Sequence, residues 1–453
     1  MSLLKDAIKK GNYYTVQSLL NLGDDVNEVG LDILSPLHVA VSKNFPEIVK
    51  LLITCGADLN SMDAFGRTPL FYAVKNNSLE IFNILIEKGA DIHVDDIEEV
   101  TPLALAAGMN NLKMGEVLLS LGADPDKKTP LYFTVENDYE DFTKLLIEYN
   151  ADTSDESLLE LAVKNNLLNS GKLLFESGID LKNNVQLKQR LFFQALKNGS
   201  IDFAKYLFSL GVSLDYRGKY GEKAIHYAVQ SPDEEAVIFL RNKGAQAIER
   251  DSKNVTPLHV AAQVGIYKTV NLLIECGAEL NSKTNDGNTP LHYAAKNIKE
   301  PKIIQFLLDN GAVIESKNYL GRTPLLEAAY YSEYSNVAIL IKNGADINAK
   351  NYNEFTPLFY SAMNNSVKML GLLLKNGANI NERSKFKTTA LMEAVMSGNF
   401  EAVNFLLENG AKMDISNIHG NTPLSIAEEK GYAKIKSILE NAKIEKKQTH
   451  EDH

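Results

Sequence analysis

The sequence predicts an all-α repeat solenoid, and three observations carry that prediction. The stretch TPLHVAAQVGIYKTVNLLIECGAELNSKTNDGN runs from Thr256 to Asn288, and TPLHYAA starts again at Thr289, a period of 33 residues. Nine of the chain's 13 prolines occupy the second slot of this anchor, so the proline has one repeated structural job. Gly265 and Gly277 follow the two short apolar stretches of this copy, where they end helices. Length alone would suggest roughly three globular domains. A fixed period of this size overrides that prior and means a stack of copies.

Each element of the copy has a physical reason. Thr256 is a helix N-cap type, and Pro257 sits at the first helical position, where a missing N–H costs nothing. Leu258, Ala261 and Ala262 give a short helix a narrow apolar face that a neighbour can approach closely. Gly265 ends it. Val270, Leu272, Leu273 and Ile274 line a second helix, which Gly277 closes. Ala278 to Asn288 is polar and extended, with a hairpin turn signal at Asn285-Asp286-Gly287. One unit is therefore helix, turn, helix, β-hairpin, and it buries its apolar faces only by stacking on copies of itself.

TPLHxAA, then LL, then GA, recurring in register every 33 residues, resembles the ankyrin repeat. The resemblance covers about residues 2 to 442 and implies an ankyrin repeat stack of about 14 repeats including end caps. The anchor falls at Ser2, Ser35, Thr68, Thr101, Thr129, Ser157, Arg190, Lys223, Thr256, Thr289, Thr323, Thr356, Thr389 and Thr422. Residues 1–440 are assigned to the solenoid, and 441–453 to a charged, disordered tail with almost no apolar residues. Lys5 and Asp6 in the first unit and Glu428, Glu429 and Lys430 in the last mark the two ends as polar caps facing water.

The segment near 124–223 is irregular. The intervals Thr101–Thr129 and Thr129–Ser157 are 28 residues each, and the missing residues come from the hairpins at 124–128 and 152–156. Leu158, Leu191 and Ala224 replace the anchor proline, and Ile179 and Val212 replace the Ala of GA. Two readings stand: ordinary drift within an internal repeat, or a joint between two stacks.

Composition excludes several functions. The net charge of −11 argues against nucleic acid and fits a basic partner. No apolar run has the length of a membrane span. The start MSLLKDAIKKGNYY lacks the apolar core of a signal peptide, which predicts a cytoplasmic protein, or an effector delivered into a host cell without such a signal. Cys55 and Cys276 share one repeat slot many layers apart, so they are read as separate reduced thiols.

The chemistry is sparse. His38, His226, His259 and His292 share the fourth anchor slot, and the ankyrin resemblance implies a structural hydrogen-bonding role for them. Layers roughly 8–10 Å apart space them too widely for one metal ion. His93, His419, His450 and His453 fit no metal spacing, although His450 to His453 of the tail bring two imidazoles next to Glu451 and Asp452. No nucleophile elbow, phosphate loop or dinucleotide fingerprint occurs. No catalytic residue, cofactor site or metal site is therefore assigned, and the chain is read as a non-enzyme.

What remains is surface. The resemblance implies that a partner protein binds the concave side, through hairpin tips and the exposed face of the first helix. At those variable positions units 11 to 13 carry Tyr319, Leu320, Arg322, Tyr330, Tyr331, Tyr352, Phe355, Lys385 and Phe386. Aromatics and Arg are what interface centres prefer; the competing reading is that these rings pack on neighbouring hairpins. The sequence thus predicts a monomeric scaffold, adaptor or inhibitor that binds a protein. The alternatives are an effector or toxin-related protein active only with a partner subunit, and a binder of small ligands or lipid headgroups.

Overall fold

The anchor residues start helices as their chemistry dictates. Thr256 is extended (φ −97°, ψ 162°) and Pro257–Val264 is helical. Gly265 then takes the left-handed conformation at φ 91°, and the second helix, Tyr267–Glu275, runs back. In other repeats the same left-handed corner is an asparagine, among them Asn44, Asn77 and Asn365, the L-residue type that tolerates it best. The computed structural model describes residues 2–29, 33–178, 181, 183–296 and 300–451. Across them the helix pair recurs from Leu3–Lys9 with Tyr13–Asn21 to Pro423–Glu429 with Ala433–Glu451. First helices pack on first helices and second on second, so the core forms between layers. Leu258, Ala261, Ala262, Val270 and Leu273 are fully buried there.

The chain divides into two compact units. One is Met1–Ala195 with Asp202–Val212, and the other is Leu196–Ile201 with Ser213–His453. Both shortened fingers lie inside the first unit. There Thr129 is left-handed (φ 51°), unlike the extended anchors elsewhere, and its side chain makes no cap bond. Lys128 is left-handed as well, and a turn closed by the Thr129 amide on the Asp126 carbonyl (3.1 Å) replaces the finger. The Asp126 carboxylate accepts from the Asp152 amide at 2.7 Å, which ties the two shortened segments together.

The four anchor histidines are built into this frame. Nδ1 of His259 accepts from the Thr256 amide at 3.2 Å, which leaves Nε2 to donate to the Asn288 carbonyl at 3.0 Å. His38, His226 and His292 repeat the second bond to Arg67, Val255 and Arg322. Each imidazole thus fastens the start of one repeat to the residue before the next anchor. Burial pushes His259 and His292 down to about 4, although the carbonyls they bond favour the charged form.

Four sequence expectations are corrected. Among the described residues there is no β-strand, so the hairpin is a tight turn. Asp63 shows how it holds: its Oδ1 accepts from the amides of Phe65 and Arg67 at 2.7 and 2.9 Å. Asp96, Asp251, Asn318, Asn351 and Asn417 do the same in their own fingers. One backbone bond joins neighbouring full-length fingers, as from the Ile97 amide to the Phe65 carbonyl at 2.9 Å, which is too short a ladder to make a strand.

The second correction is Arg190, which is no helix start. The first helix of repeat 7 is Val185–Asn198, and Arg190 lies within it. Leu191 stands where other repeats have proline, so nothing stops the helix from growing backwards to Asn184, whose side chain accepts from the Leu187 amide at 3.0 Å. Third, Lys5 is 1 % exposed rather than facing water, because it fills the slot His38 fills one repeat later. Fourth, residues 441–451 continue the last helix where a disordered tail is expected; Ala442, Lys443, Glu445, Lys446 and Lys447 are good helix formers. Ile179, Asp452 and His453 lie outside the described residues, as do the side chains of His450 and Glu451.

Candidate protein-binding surface

The nine residues singled out by sequence fall into two sets in the second unit. Tyr319, Leu320, Tyr352, Lys385 and Phe386 are fingertip residues, all exposed, with Tyr319 at 69 % and Tyr352 at 64 %. Main-chain bonds run along their row: the Tyr319, Tyr352 and Lys385 amides donate to the carbonyls of Asp286, Leu320 and Asn353 at 2.9, 3.3 and 3.0 Å. Each tyrosine ring lies over the preceding finger's turn. A Cβ on Gly321, left-handed at φ 72°, would stand 2.8 Å from Cδ1 of Tyr352, and one on Gly287 would meet Tyr319 in the same way. Glycine is required there both for the turn and for the ring above it.

Arg322, Tyr330, Tyr331 and Phe355 form the second set. The Arg322 guanidinium lies over the Tyr330 ring at 3.9 Å and over the Tyr360 ring at 5.2 Å, and its Nε donates to the Tyr360 hydroxyl at 3.1 Å. Tyr330 meets Tyr331 and Tyr360 edge to face at 5.1 and 5.4 Å. Phe355 stacks on Phe359 at 5.2 Å. Tyr330 and Tyr331 remain exposed, whereas Arg322 and Phe355 are mostly packed against the cluster. Arg322 and Phe355 therefore pack on neighbouring residues, and Tyr330 packs on Arg322 and Tyr360 with part of its ring exposed.

Three residues of this cluster escape the sequence reading. Tyr360 is 3 % exposed and stands at the centre. Burial pushes its phenol up, against the pull of the Arg322 charge and the Asn351 amide. Glu327 is buried, accepts from the Asn318 side-chain amide at 2.8 Å and lies 3.7 Å from Arg322. Lys296 stands 5.5 Å over the Tyr331 ring and 4.0 Å from Glu327. The only available signal for Tyr360 is a large ring at an anchor slot that holds Val260 or Tyr293 elsewhere, and that slot reads as framework.

Two left-handed corners, an anchor proline, a histidine staple and a turn-closed finger recur along the chain. The family model described as ankyrin repeats (3 copies) matches in overlapping segments from residues 4–96 to 358–449. The chain belongs to the ankyrin repeat family. A search of solved structures finds the ankyrin repeat domain of Bcl-3, titled a unique member of the IkappaB protein family. It is 30% identical with a TM-score of 0.42, and the match covers 49% of this chain and 100% of that one. No curated protein matches the chain. Ankyrin repeats generally mediate protein–protein interaction, and among the described residues of this ankyrin chain no helix is long and apolar enough to cross a membrane.

Proposed function

We infer that this ankyrin protein is a non-enzymatic binding module that holds a partner protein on repeats 11 to 13. The observation that carries the reading is the fingertip row of Tyr319, Leu320, Tyr352 and Phe386, exposed side by side on a main-chain ladder. Tyr330 and Tyr331 extend the same chemistry onto the first helix of repeat 11. Rings held in place in advance lose little freedom on binding, and each offers a large area and a hydroxyl. The net charge of −11 favours a basic partner, and Lys385 sits at one end of the row. Scaffold, adaptor and inhibitor roles all use such a surface, in a monomer working in the cytoplasm.

The test is affinity capture from the native source, followed by titration of the captured protein with variants. Tyr352→Ala should weaken binding by about 1–3 kcal/mol with the melting temperature unchanged, because its ring rests only on a glycine turn. Tyr330→Ala should weaken binding and also lower the melting temperature, because it removes the Arg322 contact. Unchanged affinity in both variants would move the site elsewhere, and turnover by the purified chain alone would refute the non-enzymatic reading.

A further inference from the structure

The first unit contains a cavity of about 280 Å³ between repeats 3 and 4, with Arg67, Phe71, Tyr72, Asp96, Leu105 and Met109 in its lining. Its register gives it meaning. Counting from the anchors at Thr68 and Thr101, these positions match those counted from Thr323 and Thr356. Arg67 stands for Arg322, Lys75 for Tyr330, Val100 for Phe355 and Leu105 for Tyr360. In repeats 11 and 12 the three rings fill the space under the arginine. In repeats 3 and 4 the arginine remains, with one face over the Phe65 ring at 5.1 Å, and Lys75, Val100 and Leu105 replace the three rings; Phe71 and Tyr72 line the wall, Tyr72 with its hydroxyl on Asp63, and the space itself is open.

The chain itself therefore shows what fits. Tyr360 puts its ring 5.2 Å beneath the Arg322 guanidinium, and its hydroxyl takes bonds from Arg322 Nε and from the Asn351 amide at 2.8 Å. At the Asn351 position the cavity has Asp96, whose side chain is 3 % exposed. Its Oδ1 is used by the finger amides of Glu98 and Val100. Its Oδ2 accepts from Arg67 Nε at 3.3 Å and can accept one more hydrogen bond. An apolar cavity of about 150 Å³ takes up benzene, so this one has room for a phenol. Lys75 and Glu98 at the rim are both exposed and opposite in charge, which leaves the ring face and the hydroxyl to decide the ligand.

We propose that this cavity takes a tyrosine side chain of the partner protein, with the ring beneath the Arg67 guanidinium and the hydroxyl donating to Asp96. The inference rests on the chain being a protein binder, and it adds a second, separate contact to the surface of repeats 11 to 13. The experiment is methyl NMR of the full chain, following Met109 while N-acetyl-tyrosinamide is titrated, with N-acetyl-leucinamide in parallel. A saturable shift is expected, with the tyrosine compound about tenfold tighter, from the cation–ring contact and the hydroxyl. Leu105→Tyr, which restores the ring of repeat 12, should abolish the shift. If that variant does not fold, Val100→Phe fills the same space from the finger side. No shift at Met109, equal binding of the leucine compound, or an unchanged response in a filled variant overturns the proposal. None of those results touches the reading of repeats 11 to 13, which stands or falls on Tyr352 and the captured partner.

Discussion

Phe142 and Gly115 show how closely single residues are matched in this stack. The Phe142 ring sits against Gly115, in the second helix of the repeat before it, so that a Cβ on Gly115 would overlap the ring tip; Phe203 sits on Gly171 in the same way. Gly115→Ala should therefore destabilise the first unit by about 1–3 kcal/mol despite its better helix propensity. A urea midpoint equal to or above that of the parent would show that the ring moves aside. Leu273 is the opposite case, fully buried between layers of the second unit. Leu273→Ala should cost about 2–4 kcal/mol, read in the same melt.

The histidines add a pH dependence whose sign is fixed by burial. His259 and His292 are held near 4, below the ordinary 6.5, so the unfolded chain binds more protons between those values. Stability from these groups is complete above about pH 6.5 and is lost as pH falls toward 4, by about 1.4 kcal/mol per unit for each imidazole. Urea midpoints at pH 7 and pH 5 should fall accordingly. Burial also holds His38 and His226 below their ordinary value and pushes Glu333 and Glu393 up, so replacing His259 and His292 by glutamine should reduce the slope rather than remove it. An equal slope in that variant would assign the effect to other groups.

At the scale of the element, most of the stack was legible because its signals are local. Proline after Thr, Ala pairs and a glycine or asparagine corner each act within one turn of chain, so Thr256, Pro257 and Gly265 do what their residue types dictate. What was not legible depends on residues a repeat away. Tyr360 becomes a core ring because Arg322, from the preceding finger, closes over it. Lys5 is buried because it inherits a histidine's slot. The start of repeat 7 was misplaced because pattern matching requires an anchor, whereas the chain had only to avoid a breaker. Leu191→Pro separates the two registers. With a helix starting at Leu191 it would be tolerated, since proline suits the first helical position. Inside Val185–Asn198 it should cost about 3 kcal/mol or more, and helical content by circular dichroism would fall with it.

For the whole molecule, the division at residues 195–213 places each effect in its own unit. Stability in such stacks is a sum of repeat and neighbour terms, so Gly115→Ala should speed hydrogen exchange in residues 1–195 and leave 213–440 at its parent rate. Leu273→Ala should do the reverse. A uniform increase in both variants would mean that the chain opens as a single cooperative body. The shortened fingers at 124–128 and 152–156 sit within the first unit, so the place where the chain divides does not coincide with the place where it is shortest.

The fingertip ladder has one more consequence, for how such a protein changes over generations. Tyr319, Tyr352, Lys385 and Ile418 occupy the same slot, and the amide of each makes the same bond to the finger before it. That bond is indifferent to the side chain. A ring can become an amine or an alkyl group with the main-chain bond intact, so mutation at this slot would alter what the proposed surface recognises without asking the fold to readjust. On that proposal binding preference can be rewritten one finger at a time, each intermediate sequence still folding, which is the condition a lineage needs to track a partner that is itself changing.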